Sequence, residues 1–296
     1  MIVFTYLVIL ISLSLNADNS KPPNLDLRNF NLTIDDIKLN SLNSLIPDYK
    51  NNNNILLFDH QIAAIKLKSS QYVPEPVNNN DKIFMYTNYG LIEFSFFLKD
   101  SPNHCLNFKK LSNSKFYDQT LFHYVIPNFI IQGGDILTRN ENKYDDGQGG
   151  PGWTIDAEFN ELKHVEGTLS MFRTQNDPNS AGSQFFISLS ENKGLDNNYT
   201  AFASIVKGMH VLLRLSNVPS ENRQAKLLCE KSIPSGEDES DWVELWDPIQ
   251  EMNLFSKKQA DFKKNEYKEV MQERLDNMFN PAIPIIIDSI RVRNEK

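Results

Sequence analysis

Short apolar runs broken by glycine, proline and asparagine constrain this chain more than any other feature. Two of them adjoin: Phe122-His123-Tyr124-Val125-Ile126 and, beyond Pro127-Asn128, Phe129-Ile130-Ile131-Gln132, closed by Gly133-Gly134-Asp135. Proline followed by asparagine ends one extended run and turns the chain into the next, so the pair reads as two strands. Residues 83–87 and 91–97 flank Asn88-Tyr89-Gly90 as a hairpin, and 167–172, 184–189, 201–206 and 283–292 are further strand candidates. Helical spacing follows Ser101, which can cap a helix to about Leu111 with Leu106, Phe108 and Leu111 facing inward. A second helix is expected over 207–215. Many short strands and few helices predict a mainly β fold, a closed antiparallel barrel with two flanking helices.

Between residues 217 and 280 the compact strand spacing is interrupted. The acidic run Glu237-Asp238-Glu239-Ser240-Asp241 reads as a solvated loop, and Phe262, Tyr267, Val270, Met271, Leu275 and Met278 recur at helical spacing within residues 256–279. An inserted helical arm is expected here, packed on the barrel's outside or presenting a partner surface. Residues 2–15 form an apolar run followed by Asn16-Ala17, which predicts a signal peptide over 1–17 and export, an uncleaved anchor being the alternative. Residues 18–81 then read as an Asn-, Asp- and Pro-rich extension whose apolar stretch at 55–65 packs on the main domain, residues 82–296. No later run is long enough to span a bilayer, so a cleaved chain is not expected to insert stably.

A net charge of -8 argues against a broad nucleic-acid footprint. The two cysteines, Cys105 and Cys229, either pair in an oxidising compartment or serve as a small apolar helix residue and a loop thiol. His123 reads as a buried strand histidine. Gly147-Gln148-Gly149-Gly150-Pro151-Gly152 lacks the Lys-Ser/Thr that completes a phosphate loop and reads as a flexible surface loop.

Four ordered blocks carry a resemblance: the run from Phe122 to Asp135, Gly167-Thr168-Leu169-Ser170-Met171-Phe172-Arg173-Thr174, Asp177-Pro178-Asn179-Ser180-Ala181-Gly182-Ser183-Gln184-Phe185-Phe186-Ile187, and Leu195-Asp196 with Tyr199-Thr200-Ala201-Phe202. Together they resemble cyclophilins of the bacterial type, over roughly residues 82–215 plus the final strand. The resemblance implies a cyclophilin-like barrel that catalyses cis/trans isomerisation of the bond before proline. Its partners would be proline-containing peptides or unfolded client proteins, with a cyclosporin-like ligand as a further occupant. No cofactor or metal is implied, because rotation needs only a lower cost of breaking amide conjugation, against a barrier of about 18–20 kcal/mol.

Carried over by position, Phe129, Ile130, Phe186, Leu195 and Phe202 match the proline-pocket wall. Gln132 matches the residue that contacts substrate backbone and orients the family's arginine, and Gln184 matches another groove residue. Tyr199 replaces a histidine, and Phe185 is assigned to the core. Three positions depart from the pattern: Tyr124 stands for the catalytic arginine, Phe172 for an alanine at the subsite before proline, and Gly194 for a rim aromatic. A tyrosine offers one neutral hydroxyl where arginine offers a charged fork of donors. Arg173, beside the groove, and Arg139, beyond the Gln132 strand, are the cations available to replace it.

Overall fold

The computed structural model describes residues 56–294. The apolar run at 2–15 and the extension up to residue 55 lie outside the described residues. Nine strands form one antiparallel sheet: β1 (Asp81–Thr87), β2 (Gly90–Phe96), β3 (Thr120–Phe122), β4 (Tyr124–Ile126), β5 (Ile130–Gly133), β6 (Thr168–Met171), β7 (Phe185–Ser188), β8 (Thr200–Lys207) and, last in the chain, β12 (Ile285–Asn294). Their order is β3-β12-β1-β2-β8-β6-β7-β5-β4. The two ends of that order, β3 and β4, are separated in the chain by His123 alone, so the sheet curls back on itself into a nearly closed barrel.

Alternation along the strands fills the barrel. Ile83 and Met85 of β1 are fully buried, as are Ile285, Ile287 and Ile290 of β12. The phase of β12 changes between Ile287 and Ile290 because its register with β1 slips between Tyr86 and Thr87, a bulge that lets both halves of the strand face the core. Helix α1 (Asp59–Gln71) buries Ile62 against this core, and the Leu57 amide just before it donates to the Arg139 carbonyl at 2.6 Å. Helix α2 (Pro102–Asn113) plugs one barrel opening. Phe108 packs at 5.0 Å from Phe202, 5.2 Å from Tyr117 and 5.5 Å from Phe185, measured between ring centres. Leu106, expected inward, is exposed, and Cys105 takes the buried face instead. Ser101 precedes the helix as expected, but its side chain does not cap it. The Glu158 carboxylate accepts from the Asn103 and His104 amides at 3.0 and 2.9 Å, while the Ser101 hydroxyl donates to the Ala201 carbonyl. Helix α3 (Met209–Ser216) buries Val211, Leu212 and Leu215 and packs on β2.

The insertion is more than a helical arm. It contains helix α4 (Glu221–Lys226), strands β9 (Cys229–Glu230), β10 (Trp242–Asp247) and β11 (Met252–Lys257), and helix α5 (Lys264–Asp276). The three strands form their own sheet in the order β10-β11-β9, and α5 lies across it. Helical spacing holds for Tyr267, Met271 and Leu275, which are buried against Val243, Leu245 and Leu254, but Ser256 belongs to a strand. Backbone pairing closes the base of the insertion: the Ala282 amide donates to the Pro219 carbonyl and the Glu221 amide to the Asn280 carbonyl, both at 2.9 Å. Both cysteines are free thiols, Cys105 in the barrel core and Cys229 in β9, with burial pushing them up to about 12 and about 11.

Candidate functional site

The β4–β5 ladder sets the register of the site. Tyr124 lies opposite Gln132, Ile126 opposite Ile130, and Gln132 in turn opposite Phe186 of β7. Period-2 alternation turns Tyr124 and Ile126 to the same face while Val125 points into the barrel core. A groove of about 890 Å³ opens over this face, lined among others by Tyr124, Gln132, Phe172, Arg173, Gln184 and Tyr199.

A hydrogen-bonded network holds the far wall, residues 147–149. Gln184 donates from Nε2 to the Gly147 and Gly149 carbonyls at 2.9 and 2.8 Å. Buried Asp135, the last residue of the opening motif, accepts from the amides of the same two glycines at 2.5 and 2.9 Å. This loop, expected to be a flexible surface feature, is therefore tied down on both its donors and its acceptors. Glycine is required at 149, where a Cβ would stand 1.9 Å from Asp135 Oδ1, and favoured at 147 by a φ of +89°.

Because Gln184 uses its amide nitrogen on the loop, its Oε1 is the acceptor that faces Gln132, and Gln132 donates to it from Nε2 at 2.9 Å. The orientation of both amides follows. Gln132 Oε1 is then buried with no donor among the described residues, in the strand beside Tyr124. An unsatisfied buried acceptor is costly, and here it lies where the resemblance places an arginine-orienting contact. Burial, with the charges of Asp146 and Asp135 adding to it, pushes the Tyr124 hydroxyl up to about 12, so it is a neutral donor at physiological pH.

The second half of the site is apolar. Ile126, Ile130, Phe186, Leu195 and Tyr199 form a buried cluster of their own, and the partly exposed rings of Phe129, Phe172 and Phe279 pack against it. Tyr199 meets Phe186 edge to face at 5.3 Å, and His164, anchored to Asp196 at 3.1 Å, stacks on the other side of Phe186. Tyr199 and Phe172 belong to both the groove and the apolar cluster and so join the two halves.

Most of the expected site residues meet here. Phe202 does not: inward alternation on β8 places it fully buried in the barrel core against Phe108 rather than on the pocket wall. Phe185 is core, as expected. Arg173 lines the groove, but its guanidinium is committed, with Nε donating to the Asn198 carbonyl at 2.8 Å, one terminal nitrogen donating to the Thr174 and Gln175 carbonyls, and the plane over the Tyr199 ring. Arg139 lies in the turn after β5, largely buried, and is not among the groove-lining residues. His123 is buried against the Tyr124 ring, and burial lowers its pKa. Sequence reasoning missed Asp135 as the loop anchor, Lys66 and Trp153 on the groove's edge, and Phe279. Asp135 was within reach, since it ends the most specific motif; nothing local marks the other three.

The sequence model of the family described as "Cyclophilin type peptidyl-prolyl cis-trans isomerase/CLD" matches residues 82–233, just over half of the chain. The chain belongs to the cyclophilin-type peptidyl-prolyl cis-trans isomerases. Among curated relatives, a peptidyl-prolyl cis-trans isomerase of Arabidopsis thaliana is 37% identical over 168 residues, covering 53% of this chain and 97% of the relative. A peptidyl-prolyl cis-trans isomerase of Acinetobacter baylyi is 38% identical over 146 residues, 48% of this chain and 74% of that protein. Among solved structures, a cyclophilin type isomerase of Cryptosporidium parvum superposes with a TM-score of 0.50 at 28% identity, covering 73% of this chain and 99% of that one. The fold expected for a cyclophilin, a mainly β barrel with flanking helices, is the one observed.

Proposed function

We propose that this cyclophilin rotates X-Pro bonds in exposed segments of exported client proteins, and that Tyr124 in place of arginine weakens its turnover. One observation carries the reading: a buried apolar cluster containing Ile130, Phe186 and Leu195, with partly exposed aromatic rings packed on it, adjoins the groove that Tyr124, Gln132, Phe172 and Tyr199 line. The aromatic faces suit a proline ring, Gln132 and Gln184 suit substrate backbone, and Tyr124 stands where the family's donor meets a proline nitrogen whose lone pair localises as the amide twists. A single neutral hydroxyl replaces a charged, forked donor. Loss of such a preorganised donor costs about 3–4 kcal/mol in other enzymes, roughly a hundredfold to a thousandfold in rate. Export rests on the apolar run at residues 2–15 alone, and the appearance of a mature chain lacking about the first 17 residues in the exported fraction tests it.

A second reading, a module that holds proline-containing segments with little turnover, is favoured by the unpaired Gln132 Oε1. Exchange NMR on a short proline peptide separates the two, comparing wild type with Tyr124→Arg and Phe172→Ala. The isomerase reading expects measurable wild-type acceleration, raised by about a hundredfold or more in Tyr124→Arg, because the new guanidinium also supplies the donor that Gln132 Oε1 lacks. Binding without acceleration in the wild type, with activity gained only in Tyr124→Arg, establishes the second reading.

A further inference from the structure

We propose that Phe279, brought in by the insertion, is a specificity-determining wall of the proline pocket. The inference rests on the pocket reading given above and adds a residue from outside the stretch that carries the family's sequence pattern, which ends at residue 233. Three partly exposed rings pack on the buried cluster, and Phe129 and Phe172 come from the barrel while Phe279 comes from the end of the insertion.

The backbone of Phe279 is fixed to the site itself. Its carbonyl accepts from the Val125 amide at 2.9 Å, and Val125 is the residue between Tyr124 and Ile126, the two β4 residues that face the pocket. One residue further on, the Asn280 carbonyl accepts from Glu221, and Ala282 donates to Pro219, so the segment is held to β4 on one side and to the insertion's base on the other. That backbone anchor fixes the Cα from which the ring projects, and packing on the buried cluster holds the ring itself.

Another part of the rim is bare. A Cβ built at Gly194, next to Leu195 of the apolar cluster, would meet only Asn192 Oδ1 within 4 Å, so no ring covers the cluster from that position. Phe279 adds an aromatic face to the cluster from the side of Val125. The recognised group is the pyrrolidine ring of an X-Pro segment, packed against a partly open aromatic face.

The test uses the full chain and a short alanine-proline peptide, followed by NMR titration with wild type, Phe279→Ala and Phe279→Leu. In the wild type, the proline ring protons are expected to shift upfield on binding. Phe279→Ala should weaken binding about tenfold and remove part of that shift. Phe279→Leu keeps the volume, so it should retain most of the affinity while losing the ring-current shift, a signature that a purely structural role would not move. It also carries the test should Phe279→Ala fail to fold. Unchanged affinity and unchanged proline shifts in both variants overturn the inference, as does tighter binding in Phe279→Ala, which would make the ring an occupant rather than a wall. A wild type that binds no proline peptide overturns the pocket reading itself, which is a separate result.

Discussion

The barrel and the insertion each own an apolar core, and they share no residue of it. The barrel core is assembled from strands far apart in sequence, with Asp81 of β1 opposite Asn294 of β12, whereas the insertion buries Tyr267 and Met271 against strands a short way upstream. They are joined by the paired base at Pro219 and Ala282, by Phe279 on Val125, and by an ion pair from Lys143, ahead of the glycine loop, to Glu273 of α5. Two cores with so narrow a junction can fail separately, and the functional site lies at the junction. The barrel fixes where Tyr124 and Gln132 stand, and the insertion contributes a wall.

That independence is open to measurement. The largest effect is expected from Phe185→Ala, which empties a fully buried position touching Phe108, Tyr117 and Phe122. It should cost about 3–5 kcal/mol of global stability in denaturant melts, and a loss below about 1 kcal/mol would mean that the barrel core collapses readily around the gap. Tyr267→Ala should act on a smaller scale and locally. It removes a buried ring and the contact of its hydroxyl with Ser256 at 2.9 Å, so amides of α5 and β11 should lose exchange protection while those of β1 and β12 keep theirs. Equal loss in both regions would show one cooperative unit and break the comparison.

The smallest effect concerns pH. All five histidines precede the insertion, and burial lowers the pKa of His104, His123 and His164. With folded values below the ordinary 6.5, the unfolded chain takes up protons that the folded barrel refuses. The stability is therefore fully present above about pH 6.5 and falls as the pH drops through that value. Barrel stability should decline as the pH falls below about 6.5, with exchange protection in the insertion following it only through global unfolding. A barrel whose stability rises on acidification would overturn the assignment of neutral buried histidines.

The barrel was largely legible because its short apolar strands are punctuated by glycine, proline and asparagine. What escaped had physical reasons. Trp242 to Asp247 alternates buried and exposed positions from Val243 onward, but the helical spacing further on drew the whole insertion into a helical arm. Cys105 displaced Leu106 because the helix rotates to put the smaller side chain against the Phe202 carbonyl. Phe202 carries a pocket-like residue type at a position whose strand phase points inward. Phe279 was invisible for another reason: its place depends on the pairing of Pro219 with Ala282, a contact that no local pattern announces.

Strand β12 is the last element among the described residues, where it is the sole ladder partner of β3 and the second partner of β1. Synthesis from the N terminus therefore delivers every residue of the insertion's core before the barrel can close. The ladders that hold Tyr124 beside Gln132 and Phe186 are complete in sequence well before β12, whereas the β3–β12 seam that closes the barrel is sewn only when the final strand arrives.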